Sequence, residues 1–186
     1  MIIGMSGYAR SGKDTVADFL VKNHGFVKLS FATPMREALI RLDPMIRIGD
    51  RLTVSLSQAL SSMSWEDLKS VSPDVRPLMQ KMGTEVGRQL IGENVWVDLA
   101  MKEAEKHENV VFADCRFKNE AGAIWLRKGV LWRMERDGVG PTNGHISETD
   151  LDGAPAIVTL YNRYPLEELE GLVTQAFEMT SSALDG

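Results

Sequence analysis

A chain of 186 residues is long enough for one domain that buries roughly 70% of the surface its unfolded form exposes. Its net charge of −5 argues against a general electrostatic grip on DNA or RNA. The single cysteine, Cys115, excludes an internal disulfide framework and suits a reducing compartment. The apolar start "MIIGM" is too short for a secretion signal or a membrane span. The expectation is a soluble, cytoplasmic protein that uses no membrane.

Five short apolar runs occupy residues 2–5, 26–29, 110–113, 130–134 and 156–160. They alternate little, as expected of parallel strands covered on both faces. Helical spacing fills most of the gaps. "DTVADFLVKN" places Val16, Phe19 and Leu20 on one stripe, and "NEAGAIWLRKG" does the same for Ala121, Ile124, Trp125 and Lys128, with Gly129 as the C′ stop. "PLEELEGLVTQAF" opens with Pro165 at a first helical position. This alternation predicts an α/β fold with a doubly wound parallel sheet.

Between residues 31 and 109 no strand is evident. Helix starts are marked at Thr33-Pro34, at Ser64 with Asp67 three residues on, and at Ser72-Pro73. The stretch reads as a mostly helical insertion within a single domain spanning 1–186. "RDGVGPTNGH", which starts at Arg136, is the richest turn segment, and a loop of that length points to function or poor order.

"GYARSGKDT" carries the chemistry. Gly7 to Lys13 fit the first seven places of G-x-x-x-x-G-K-[ST], between a predicted strand and a predicted helix. The glycines let backbone N–H groups wrap a phosphate, the helix N-terminus adds its dipole, and Lys13 reaches the β and γ oxygens of a nucleotide. Asp14 stands where a hydroxyl normally touches Mg²⁺, and Thr15 follows one place later. A carboxylate is also a good magnesium ligand. Gly7, Arg10, Ser11, Gly12, Lys13, Asp14 and Thr15 are therefore the expected nucleotide contacts.

In "NVVFADCRFKNE" an apolar run ends in Asp114, an acid at the carboxyl end of a strand, where ligands of open α/β sheets collect. Its expected task is to hold Mg²⁺ through water, and capping the next helix is the bland alternative. Arg116, two residues on, is expected to contact phosphate. The positive charge favours arginine, twelve against nine lysines, and arginine forks match phosphate oxygens. On a helix Arg76 and Gln80 lie four apart on one face, as do Thr84 and Arg88. Gly83 and Gly87 weaken that helix by roughly 1 kcal/mol each, so something must approach it closely. Trp96 reads equally as core or as a stacking surface for a base. A loop arginine such as Arg136 can close over a phosphate site. Arg133, inside a strand, is expected to pair with a neighbour, and His145 and Glu148 to order the loop or act as ligands.

"GYARSGKDTVADFL", "FATPMREAL", "RPLMQKMGTEVGRQLIGENVWV", "FADCRFKNEAGAIWLRKG" and "GHISETDL" together resemble the bacteriophage deoxynucleoside monophosphate kinases, a P-loop kinase family in which the "GKDT" loop is itself a feature. The resemblance implies a five-stranded parallel sheet ordered 2-3-1-4-5, flanked by helices. It also implies a monophosphate-binding helical insertion at 31–109 and a lid at 136–150. The implied activity is transfer of the ATP γ-phosphate to a deoxynucleoside monophosphate, with Mg²⁺, in the host cytoplasm. Lys13, Asp14 and Thr15 fall in the ATP–magnesium site, with Asp114 beside the metal. Arg76, Gln80, Arg88, Trp96, Asp114 and Arg116 fall on the acceptor side, and Lys13, Arg116 and Arg136 carry the catalytic charge. The expected partners are these small nucleotides, without nucleic acid, and analogy favours a homodimer. Dephospho-coenzyme A kinase and phosphomevalonate kinase share the first loop and the D-x-R strand and are the rival substrates. A nucleotide-dependent switch is the rival class.

Overall fold

A computed structural model describes residues 1–141 and 149–185, without the side chain of residue 185. The chain divides into two compact units. One comprises Met1–Phe31 with Ala100–Gly186, and the other is Ala32–Leu99.

The first unit is built on β1 (Ile2–Ser6), β2 (Val27–Leu29), β5 (Val110–Phe112), β6 (Val130–Glu135) and β7 (Val158–Tyr161). They form one sheet in the order β2-β5-β1-β6-β7, and every pairing is parallel. Renumbered by appearance in the sheet this is 2-3-1-4-5, the expected topology. The apolar runs form strands because both faces are covered. Ile3 and Met5 of β1 join Trp132 and Met134 of β6 in a core with Val16 and Leu20 of α1 (Lys13–His24) and Leu169 and Val173 of α8 (Leu166–Asp185). On the opposite face α7 (Lys118–Leu126) approaches so closely that a Cβ on Gly4 would lie 2.5 Å from Ile124 Cδ1. Trp132, fully buried, satisfies its indole N–H on the Thr180 hydroxyl at 3.1 Å.

The end of α7 differs by one residue from the expected stop. Lys128 takes the left-handed position at φ 57°, and the amides of Lys128 and Gly129 return to the carbonyls of Trp125 and Ile124. Gly129 is needed for space instead, since a Cβ there would meet Ile2 O at 2.8 Å.

The second unit holds α2 (Thr33–Leu42), a hairpin of β3 (Met45–Ile48) and β4 (Leu52–Ser55), α3 (Leu56–Leu60), α4 (Trp65–Val71) and α5 (Val75–Gln80). The hairpin corrects the expectation that this stretch lacks strands. "MIRIGDRLTVS" alternates only briefly, and Arg47 and Arg51 dilute its apolar pattern, so two four-residue strands around the Gly49 turn escape notice. The Ser64 start is a capping box with Asp67, as the spacing predicts. α5 continues into a π-helix, Lys81–Ile91, instead of further α-helix. Its wider turn accommodates Trp96, from the start of α6 (Val95–Ala104). The indole lies where a Gly87 Cβ would sit only 2.2 Å from Nε1, and that nitrogen donates to Gly83 O at 2.9 Å. A neighbouring side chain is thus what Gly87 admits, whereas a Cβ on Gly83 would meet only Met35 Cγ at 3.9 Å, an ordinary contact.

Asp74 ties the hairpin to α5. Its Oδ1 and Oδ2 accept from the Arg47 guanidinium at 2.6 and 3.0 Å, and Oδ2 also accepts the Arg47 amide at 2.9 Å. These bonds hold the Asp74 carboxyl down at about 2. A depressed carboxyl stabilises the fold fully above its unfolded value and loses that contribution as pH falls through the folded one. The melting-temperature gap between wild type and Asp74→Asn should therefore be constant above about pH 5 and close towards about pH 2. A gap of equal size at both ends would contradict this.

Candidate active site

The loop from Gly7 to Gly12 links β1 to α1. Gly7 at φ 128°, Arg10 at φ 66° and Gly12 at φ 106° place three left-handed residues among ordinary ones, which curls successive amides into an anion-binding concavity. Glycine is required at two of these positions, because a Cβ on Gly7 would lie 2.2 Å from Met134 O and one on Gly12 would lie 2.5 Å from Asn162 Nδ2. α1 begins at Lys13 with Gly12 as its N-cap and no side-chain cap. Its first-turn amides have no acceptors inside the helix, the condition under which a helix start takes phosphate.

Lys13 is only 8% exposed and Ser11 only 1%. The Lys13 ammonium donates to Gly7 O at 2.7 Å and Tyr8 O at 2.6 Å, with Ser11 Oγ at 3.5 Å. The loop thus holds a buried cation at its centre. A cavity of about 220 Å³ opens beside it, lined among others by Gly7, Tyr8, Ser11, Arg116, Arg133 and Arg136. Arg116 and Arg136, from the ends of β5 and β6, are therefore brought to the same concavity as the loop. Arg136 Nη1 also donates to Arg10 O at 3.4 Å. Arg133 behaves as expected for a strand arginine, donating to Leu151 O and Ala154 O at 3.0 and 2.8 Å. Cys115 lines the cavity too, but burial, then the Glu120 and Asp114 charges, push its thiol well above the ordinary value. It stays protonated and is no nucleophile.

The acids are placed less simply. Asp114 accepts the Ser30 hydroxyl at 2.6 Å and the Phe31 amide at 3.0 Å, which orient its carboxylate. The acid that caps α7 is instead Glu120, whose Oε2 accepts the Arg116 and Phe117 amides at 2.7 and 3.0 Å. Asp14 is exposed and paired with Lys28 of β2 at 2.8 Å, and Lys28 also holds Asp18 at 3.0 Å. Burial pulls the Lys28 ammonium down, but the two carboxylates outweigh it and raise it. Thr15, half-buried, stands in the first turn of α1. Among the described residues no group of three or more His, Cys, Asp or Glu side chains could hold a metal ion.

Of the segment 136–150, residues 142–148, with His145 and Glu148, lie outside the described residues. At its far end Asp150 meets α7, and just beyond it Asp152 meets the loop. The Tyr8 hydroxyl donates to both Asp152 oxygens at 3.2 and 3.1 Å, and Asp150 accepts the Lys118 amide at 2.8 Å. Burial, then Asp152, raises the Tyr8 phenol.

Arg76, Gln80, Arg88 and Trp96 lie in the helical unit. Arg76 and Gln80 are exposed on α5, with Arg76 Nε donating to Lys69 O at 3.2 Å, and Arg88 is half-buried on the π-helix. Trp96 is 7% exposed and part of that unit's core, so its surroundings favour the first of its two readings. A residue missed from sequence joins them. Arg36 on α2 has a buried Nε without a hydrogen-bond partner among the described residues and stands 5.7 Å over the Trp65 ring. The carboxyl of Glu66 is lowered first by its bond to Lys69, and further by the charges of Arg36 and Arg76. Of these cations, Lys69 is the one bonded to Glu66, at 2.6 Å.

A family model described as deoxynucleotide monophosphate kinase matches residues 1–62. The likeness read from the motifs is to that family. The chain is similar to a putative deoxynucleotide monophosphate kinase of Acanthamoeba polyphaga mimivirus, 26% identical over 197 residues that cover 97% of this chain and 98% of that one. It is also similar to the deoxynucleotide monophosphate kinase of Enterobacteria phage T4, 50% identical over 38 residues, 20% of this chain and 16% of that one. Among solved structures, the shikimate kinase of Aquifex aeolicus covers both chains fully at a TM-score of 0.49 and 16% identity. No helix among the described residues is long and apolar enough to cross a membrane.

Proposed function

We propose that this chain is a deoxynucleoside monophosphate kinase, transferring the γ-phosphoryl group of ATP to a deoxynucleoside monophosphate to give the diphosphate and ADP. The observation that carries the proposal is the buried Lys13 at the centre of an amide loop, within the same 62 residues that match the kinase family. The loop amides and Lys13 are assigned to the β- and γ-phosphates of ATP. Arg116 and Arg136, which line the adjoining cavity, are assigned to the transferring group and the acceptor phosphate. In the helical unit Arg36, Arg76 and Arg88 are assigned to the acceptor, with Gln80 beside them, and Trp96 supports the π-helix that carries Arg88.

An acceptor phosphate already presents an ionised oxygen near neutral pH, so its attack needs no strong base. Catalysis then reduces to alignment and to stabilising charge on the transferring group. Mg²⁺, when bound, supplies further neutralisation of the phosphates. Thr15 and Asp114 are the groups that suit its water shell, and Asp14 would join them on leaving Lys28. Segment 136–150 is assigned to closure over the donor, excluding water from the reacting phosphoryl group.

The test is ADP production in the presence and absence of a panel of deoxynucleoside and ribonucleoside monophosphates, with dephospho-coenzyme A included. Stimulation by one or more deoxynucleoside monophosphates is expected. Slow ATP hydrolysis that ignores every acceptor would replace the kinase with a nucleotide switch.

A further inference from the structure

Asn162, the residue immediately after β7, makes two contacts with the loop and one that anchors it to β6. Its side-chain Nδ2 donates to the carbonyl of Ser11 at 2.9 Å. The same nitrogen occupies the space beside Gly12, 2.5 Å from where a Cβ would stand, so the left-handed Gly12 and the Asn162 amide fit only together. Its own backbone N–H donates to Glu135 O at 2.7 Å, extending the β6–β7 ladder by one step and fixing the side chain's origin.

The consequence lies in the peptide between Ser11 and Gly12. A trans peptide is planar, with its C=O and N–H pointing to opposite sides. Holding the Ser11 oxygen on Asn162 therefore aims the Gly12 N–H away from Asn162, the orientation a phosphate-binding amide needs. Left-handed glycines tolerate rotation of that peptide at small steric cost. Without a fixed partner for the oxygen, the amide would be free to turn.

We propose that Asn162 is a positioning residue for ATP: it locks the Ser11–Gly12 peptide so that the loop amides are preset for the triphosphate. It touches neither ATP nor acceptor in this account, which rests on the kinase reading above. Asparagine suits the task because it offers an N–H donor on a short, two-torsion side chain. Aspartate, of the same shape, presents only acceptors to the Ser11 oxygen and would push that oxygen away while adding charge near the phosphates.

The test is equilibrium binding to the full chain, by calorimetry, of ATP, of inorganic tripolyphosphate and of a deoxynucleoside monophosphate. Wild type, Asn162→Ala and Asn162→Asp are compared, with a thermal melt of each. Asn162→Ala should weaken ATP and tripolyphosphate about tenfold, and Asn162→Asp more, with the monophosphate changed less than about twofold. Equal ATP affinity in all three proteins overturns the proposal. So does a parallel loss for all ligands with a large fall in melting temperature, which would make Asn162 a general fold contact. A wild type that binds tripolyphosphate and ATP but phosphorylates no acceptor leaves the Asn162 assignment standing and removes the kinase reading. A wild type that binds neither removes both.

Discussion

Lys13→Ala is expected to abolish phosphoryl transfer, with a loss on the order of 10³-fold, in a protein that still folds. The side chain is 8% exposed, yet its ammonium is spent on the Gly7 and Tyr8 carbonyls of its own loop. A buried cation held by two carbonyl oxygens is preorganised: its charge is in place before the γ-phosphoryl group begins to leave, and little reorganisation is needed as charge develops. Alanine keeps good helix propensity at the start of α1, and the neighbours that anchor that helix, Val16, Ala17 and Leu20, are unchanged. Stability should therefore fall modestly while turnover disappears. Turnover at saturating ATP and acceptor, with a thermal melt of the same preparation, checks both halves. A folded Lys13→Ala protein with wild-type turnover would remove the loop from the chemistry.

Arg116→Ala should lower turnover by about 10²–10³-fold while changing ATP affinity little, because the residue is assigned to charge that appears in the transition state. The backbone amide of Arg116 remains on Glu120 Oε2, so the start of α7 keeps its cap. Arg116→Lys should recover only part of the rate, since an ammonium lacks the planar fork that grips two phosphate oxygens. An unchanged rate for Arg116→Ala would exclude it from the site, and a change confined to the monophosphate's KM would make it a binding residue alone.

The sheet unit was legible because its signals are redundant. Each strand is a compact apolar run, each covering helix has a stripe, and the glycine loop sits between the first of each. Arg133 and the Ser64 start were legible for the same reason: the element around them was correctly read. The helical unit was harder. Its hairpin is two four-residue strands with arginines in both the strand and the turn, and its π-helix packs on Trp96 from another element, a contact that no local period encodes. Asp14 shows a further limit, since spacing alone does not reveal that β2 brings Lys28 to it. Asn162 and Arg36 were visible in principle. The first directly follows an apolar run, at the carboxyl end of a strand where ligands gather. The second lies inside a family motif, but only the structure reveals that its Nε has no hydrogen-bond partner among the described residues.

The most direct test of the whole account is transfer of label from γ-labelled ATP, with the products separated and identified. The account predicts labelled deoxynucleoside diphosphate, formed in step with ADP and dependent on Lys13. Label recovered solely as inorganic phosphate, at a rate indifferent to every monophosphate offered, would contradict it.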